Sequence, residues 1–121
     1  MTINNPKAFT EQLWDWAVLE GCFGQSKIKP TDIDGLVEHN GYFLMLEAKN
    51  KGVPIPQGQA ILHNAWLEKG NSLIVVYGEP GDPQRLECYI FGKRIVREIE
   101  PATIDKLRDV VSFWYKMAHK S

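Results

Sequence analysis

Apolar positions recur along the chain with two different periods, and the changes of period divide it into elements. Phe9, Leu13, Trp16 and Ala17 stand at helical spacing between Thr10, suited to cap a helix, and Gly21, suited to stop one. This predicts an amphipathic helix over Phe9 to Glu20. After a turn-like GQSKIKP segment come two apolar runs, Asp32 to Glu38 and Tyr42 to Lys49, separated by His39-Asn40-Gly41. Asn-Gly between such runs is the strongest short-range signal for a β-hairpin.

The stretch KNKGVPIPQG is rich in Gly and Pro and reads as a loop, and QAILHNAWLEKG after it has helical spacing up to Gly70. Gln59 begins this helix, or Gln57 if it starts earlier. Ser72 to Tyr77, SLIVVY, is β-branched and apolar on both faces, as in a strand buried between layers. Gly78 to Pro83 reads as a turn, and Leu86 to Phe91 and Ile95 to Ile99 as short strands. Pro101 then opens a final helix with Ile104, Leu107, Val110, Val111 and Trp114 on one stripe. The order α, β, β, α, β, β, β, α, with no repeat or linker, predicts one α/β domain over residues 1–121 with a central mixed sheet flanked by helices.

A type I′ turn centred on Asn40 and Gly41 sets the pairing of the hairpin: His39 opposes Tyr42, Asp34 opposes Glu47, and Asp32 opposes Lys49. Opposed residues share a sheet face with Cβ atoms roughly 5 Å apart, and alternation adds Lys49 to the face of Glu47. Carboxylates crowded in the apolar strand YFLMLEAK are unfavourable unless a cation joins them. Hard oxygen ligands at that spacing suit Mg²⁺, with Mn²⁺ as a substitute, which keeps several waters and lowers the pKa of one. Lys49 adds a point charge for a phosphate oxygen or the attacking water. The plain alternative is a charged rim with an ordinary salt bridge, since ExK triplets are common.

The segment TDIDGLVEHNGYFLMLEAK resembles motifs II and III of the PD-(D/E)XK nuclease superfamily, as found in small phage and prophage proteins of that class. The resemblance implies an α-β-β-α-β restriction-endonuclease-like core and a Mg²⁺-dependent nuclease acting on DNA. It makes Asp34 and Glu47 metal ligands, the Ala48 carbonyl a third ligand and Lys49 the catalytic lysine. Ile33 stands where the signature has proline, with Pro30 displaced upstream. Gln59 matches a glutamine that in some members positions the attacking water, and an amide that both donates and accepts suits that task; a solvent-facing polar residue is the competing reading. Asp32 is a second acidic candidate. Glu20, with Glu11 and Asp15 equally available on the first helix, reads as surface, His63 as structural more than catalytic, and His39 and His119 carry less weight still.

Composition adds limits. A net charge of -1 and a pI near 6.3 leave any phosphate contact to a local cluster, for which Lys49, Lys51, Lys93, Arg94 and Arg97 are available. Cys22 and Cys88 have neither zinc-ligand nor disulfide-framework spacing. No leader pattern and no stretch near the ~18 apolar residues of a membrane span occurs, so a cytoplasmic protein without a membrane partner is expected, in the host cytoplasm if phage-encoded. Trp14, Trp16, Trp66 and Trp114 read as core rather than as stacking platforms for bases. A homodimer would let so small a nuclease cut two strands, as in structure-selective recombination or repair. The rival reading is a catalytically silent protein of the same fold that binds a host protein or nucleic acid.

Overall fold

In the computed structural model, which describes residues 14–121, the chain divides into two units, residues 1–32 and 33–121. In the first unit the Asp15 carboxylate accepts from the Ala17 N–H at 2.9 Å and starts a short 3₁₀ helix, Trp16–Leu19. The described part of the helix expected over Phe9 to Glu20 is therefore one tight turn, and residues 9–13, with Thr10 and Glu11, lie outside the described residues. The physical reason is spacing: a cap at Asp15 and a left-handed Gly21 (φ 90°) leave too few residues for α-helical turns. With no helical stripe, Trp14 and Trp16 are 72% and 48% exposed instead of in a core, and their rings lie against each other at 5.7 Å.

The second unit is built on the expected hairpin. Asn40 (φ 53°) and Gly41 (φ 82°) both occupy the left-handed region that a type I′ turn demands. Strand β1 (Gly35–His39) pairs with β2 (Tyr42–Lys49) in the expected register, from His39↔Tyr42 to Gly35↔Leu46. β1 begins at Gly35, however, and not at Asp32. A loop then leads to helix α1 (Gln57–Glu68), which starts at Gln57 rather than Gln59 and carries the chain across to β3 (Ser72–Glu79), parallel to β2.

β3 turns through Pro80 and Gly81 into β4 (Asp82–Ile90), which is followed by β5 (Ile95–Ile99). Both pairings are antiparallel, and the five strands lie in chain order in one mixed sheet, so the fold is α/β. The β3–β4 turn is narrower than the expected Gly78 to Pro83 because both strands run on to the turn. Gly78 absorbs a register shift at φ 144°, where a Cβ would collide with the Asp82 carbonyl oxygen. Helix α2 (Ile104–Lys120) starts beyond Pro101: the Ala102 N–H is held by the Gln84 carbonyl at 2.8 Å, and Thr103 caps the helix by accepting from the Lys106 N–H. The helix therefore begins where Thr103, and not Pro101, releases the chain.

The two faces of the sheet bury different cores. Leu44, Ile74, Leu86, Cys88 and Ile90 pack against Val110, Trp114 and Ala118 of α2. Met45, Leu73, Val75 and Tyr77 pack with Leu67 of α1, and Trp66, half-buried beside them, donates from its indole N–H to the Ser72 carbonyl at 2.6 Å. Glu47 alternates with Met45 along β2 and so belongs to the α1 face. No helix among the described residues is long and apolar enough to cross a membrane.

Candidate active site

Glu47 is only 6% exposed, a carboxylate inside the smaller core. Burial of an ionised group is unfavourable unless polar partners compensate, and two do. Lys49 follows it on the same face and brings Nζ to 3.5 Å from Glu47 Oε1. Gln59, in the first turns of α1, donates from Nε2 to the same oxygen at 3.2 Å. Both interactions fall on Oε1, so Oε2 has no hydrogen bond among the described residues.

Asp34 arrives differently from its expected place opposite Glu47. Ladder pairing ends at Gly35↔Leu46, and the Asp34 carboxylate accepts from the Ala48 N–H at 2.8 Å, filling the position of the next ladder bond. In a strand the N–H and C=O of one residue point to the same side, so the Ala48 carbonyl faces the same edge of β2 as the Asp34 carboxylate. The hairpin thus places Asp34 and the Ala48 carbonyl together, with Glu47 and Lys49 flanking Ala48 in the strand. Oxygens of Asp34 and Glu47 and the Ala48 carbonyl are the hard donors here that could serve a divalent cation keeping water in its remaining positions. Among the described residues no three His, Cys, Asp or Glu side chains gather into a metal-binding group, so any cation there would lean on main-chain oxygen and solvent.

His63 lies one helical turn beyond Gln59, on the same face of α1, and is 6% exposed. Its Nε2 and the Gln59 Oε1 are both buried without a hydrogen-bond partner. Burial pushes the His63 pKa down, helped by the Lys49 ammonium, while the Glu47 and Glu87 carboxylates pull it up less strongly. Burial accordingly favours the neutral imidazole over the charged one. Folding stability must therefore fall as pH drops below 6.5, the ordinary value, because the unfolded chain takes up the proton first; the loss continues down to the lower folded-state pKa. Urea melts in EDTA at about pH 7.5 and about pH 5.5 are expected to show a larger loss for the native chain than for His63→Gln. Equal losses would mean that His63 is solvated.

Glu87 and Arg85 went unnoticed in the sequence. Val75 pairs with Glu47 on one side and Glu87 on the other, so all three share the α1 face. Glu87 accepts from the Tyr89 hydroxyl at 3.1 Å and pairs with Arg85 at 3.0 Å, while the Arg85 guanidinium also meets Glu98 and lies 4.8 Å over the Tyr77 ring. Burial, then the Glu87 carboxylate, raises the Tyr77 pKa to about 12. Alternation marks Arg85, Glu87 and Tyr89 as one face of a strand; that this face is the one bearing Glu47 depends on β3 lying between.

Within the second unit, Gln57 and much of the expected cationic cluster are not brought to this site. Gln57 is exposed at the helix start with no side-chain hydrogen bond. Glu20, Asp15 and Asp32 belong to the first unit, and β1 does not extend back to pair Asp32 with Lys49. Arg97 pairs with Cys88 and so lies on the α2 face, away from Glu47, while Lys93 and Arg94 stand in the β4–β5 turn and not on a strand. The expected phosphate-tracking cluster is thus reduced on this face to Lys49, Lys51 in the following loop, and Lys93, which shares a pocket with His63 and Glu87. The chain matches no family model, no curated protein and no solved structure.

Proposed function

We propose that the chain is a metal-dependent nuclease of the PD-(D/E)XK type that hydrolyses DNA phosphodiester bonds, with Mg²⁺ as its ion. The observation that carries this reading is a buried Glu47 tied at one oxygen to Lys49 and Gln59, beside the Asp34–Ala48 bond. The β1-β2-α1-β3 order around it agrees with the later part of an α-β-β-α-β core. Asp34, Glu47 and the Ala48 carbonyl would hold the ion, which when bound neutralises phosphate charge and acidifies a coordinated water.

The chain's own groups then have separate tasks. Gln59 Nε2 and Lys49 fix the orientation of Glu47 through Oε1 and leave Oε2 to bind. Gln59 Oε1, without a protein partner, would accept a hydrogen bond from the attacking water and orient it. The Lys49 ammonium, less buried than Glu47, offers its charge to a phosphate oxygen as negative charge accumulates there. Within this reading the substrate is branched or nicked DNA of recombination or repair, with a homodimer acting where two strands are cut.

The test is incubation with labelled duplex, nicked, branched and single-stranded DNA in Mg²⁺ or Mn²⁺, with EDTA as control. Metal-dependent cleavage of at least one substrate is expected. Folded protein that binds DNA but cleaves none of them would overturn the enzymatic reading in favour of a binding protein.

A further inference from the structure

On the far side of the hairpin from Asp34, the β1–β2 turn meets the last turn of α2. The Asn40 side-chain amide donates to the Ala118 and His119 carbonyls at 3.3 and 3.4 Å, satisfying acceptors that a helix leaves open at its C-terminus. This clasp sets the backbones of His39, just before the turn, and His119 against each other. Their ring nitrogens, Nε2 of His39 and Nδ1 of His119, stand 3.0 Å apart. Tyr115, one turn before His119, packs its ring on both imidazoles at 4.7 and 5.6 Å.

We propose that His39 and His119 form a two-histidine site for a divalent transition metal of the zinc, nickel and copper class, which clips the C-terminal helix to the hairpin turn. Imidazole nitrogens bind such ions at about 2.0–2.1 Å, which separates two of them by about 2.9 Å at a right angle and about 3.3 Å at the tetrahedral angle. The observed 3.0 Å lies within that interval. A swing of the two rings turns both lone pairs onto one point, and the exposure of His119 leaves room for it and for water in the other coordination positions.

The proton now shared between the rings moves to the other nitrogen of its own imidazole, so the pair enters the site neutral and nothing is oxidised or reduced. A nitrogen-only donor pair selects these metals over Mg²⁺ and Ca²⁺, which prefer oxygen. This chemistry separates the site from the carboxylates around Glu47, and the proposal stands whether or not the chain is a nuclease. An ion bound only by the folded chain raises its stability in proportion to the logarithm of metal concentration.

Zinc chloride titrated into the full chain by calorimetry, with thermal melts in parallel, tests the site in the native protein and in His39→Gln, His119→Gln and Glu47→Gln. Expected is a zinc-dependent rise in melting temperature for the native chain and for Glu47→Gln, and at least tenfold weaker binding in each histidine variant. Both histidines have exposed or half-buried side chains, and circular dichroism of the metal-free variants checks that they fold. Zinc binding unchanged in either histidine variant, or lost only in Glu47→Gln, overturns the assignment.

Discussion

Lys49→Ala is expected to lower DNA cleavage by about 10²–10³, the usual effect of removing one group that stabilises transition-state charge, while leaving Mn²⁺ affinity nearly intact. Glu47→Ala should lose both. An ammonium 3.5 Å from Glu47 Oε1 cannot be a metal ligand and repels a cation, so its deletion removes no coordination bond. Its loss leaves Glu47 without its counter-charge, which strengthens that carboxylate as a cation ligand. Deleting Glu47 instead removes a metal ligand and leaves Lys49 and Gln59 without the oxygen they share. Mn²⁺ titration and a labelled-DNA assay on both variants separate the two effects. Full cleavage by Lys49→Ala would refute its role, and unchanged metal affinity in Glu47→Ala would remove Glu47 from the donor set. Since a buried charge network is being cut, circular dichroism must first show both variants folded.

Trp114→Ala should destabilise the protein by about 3–5 kcal/mol, as expected for emptying a large aromatic site in a core. Trp114 is 1% exposed and lies between α2 and the sheet among Leu44, Ile74, Leu86 and Val110. Leu44, Ile74 and Leu86 belong to three different strands and cannot all close on the hole. Against a total stability of about 5–15 kcal/mol, such a loss is a large fraction of the whole. Trp114→Phe should lose much less, because it keeps most of the apolar ring and removes an indole N–H that has no partner in the core. Urea melts of the two variants give the comparison. Equal losses would show that the indole nitrogen matters more than the volume, and a loss under about 1 kcal/mol for Trp114→Ala would show that α2 is held elsewhere.

The contrast between Trp114 and the pair Trp14 and Trp16 shows what a helical stripe conveys. Trp114 belongs to a stripe that spans a full helix, so spacing alone placed it correctly. Trp14 and Trp16 lie beside Asp15, whose carboxylate starts a new turn and ends the pattern. One local hydrogen bond there outweighs an apolar periodicity that a longer helix would have honoured. Pro101 is a similar case: a residue well suited to the first helical position stands three positions before it because Ala102 is tied to β4 by a bond the sequence does not display.

The sequence by itself determined the hairpin, its register and the ends of β2, since Asn40 and Gly41 fix a turn by their own backbone preferences and every paired residue follows from it. It determined as well that Glu47 and Lys49 share a face, because strand alternation is a property of the backbone. Only the tertiary structure decided that Gln59 rather than Gln57 reaches Glu47, that His63 is buried beside it, and that Glu87 joins that face across Val75. It also turned Asp34 toward the Ala48 N–H. These depend on how α1 crosses between two parallel strands and where β1 parts from β2. Such contacts join residues far apart in the chain, and their geometry is set by packing that no local period records.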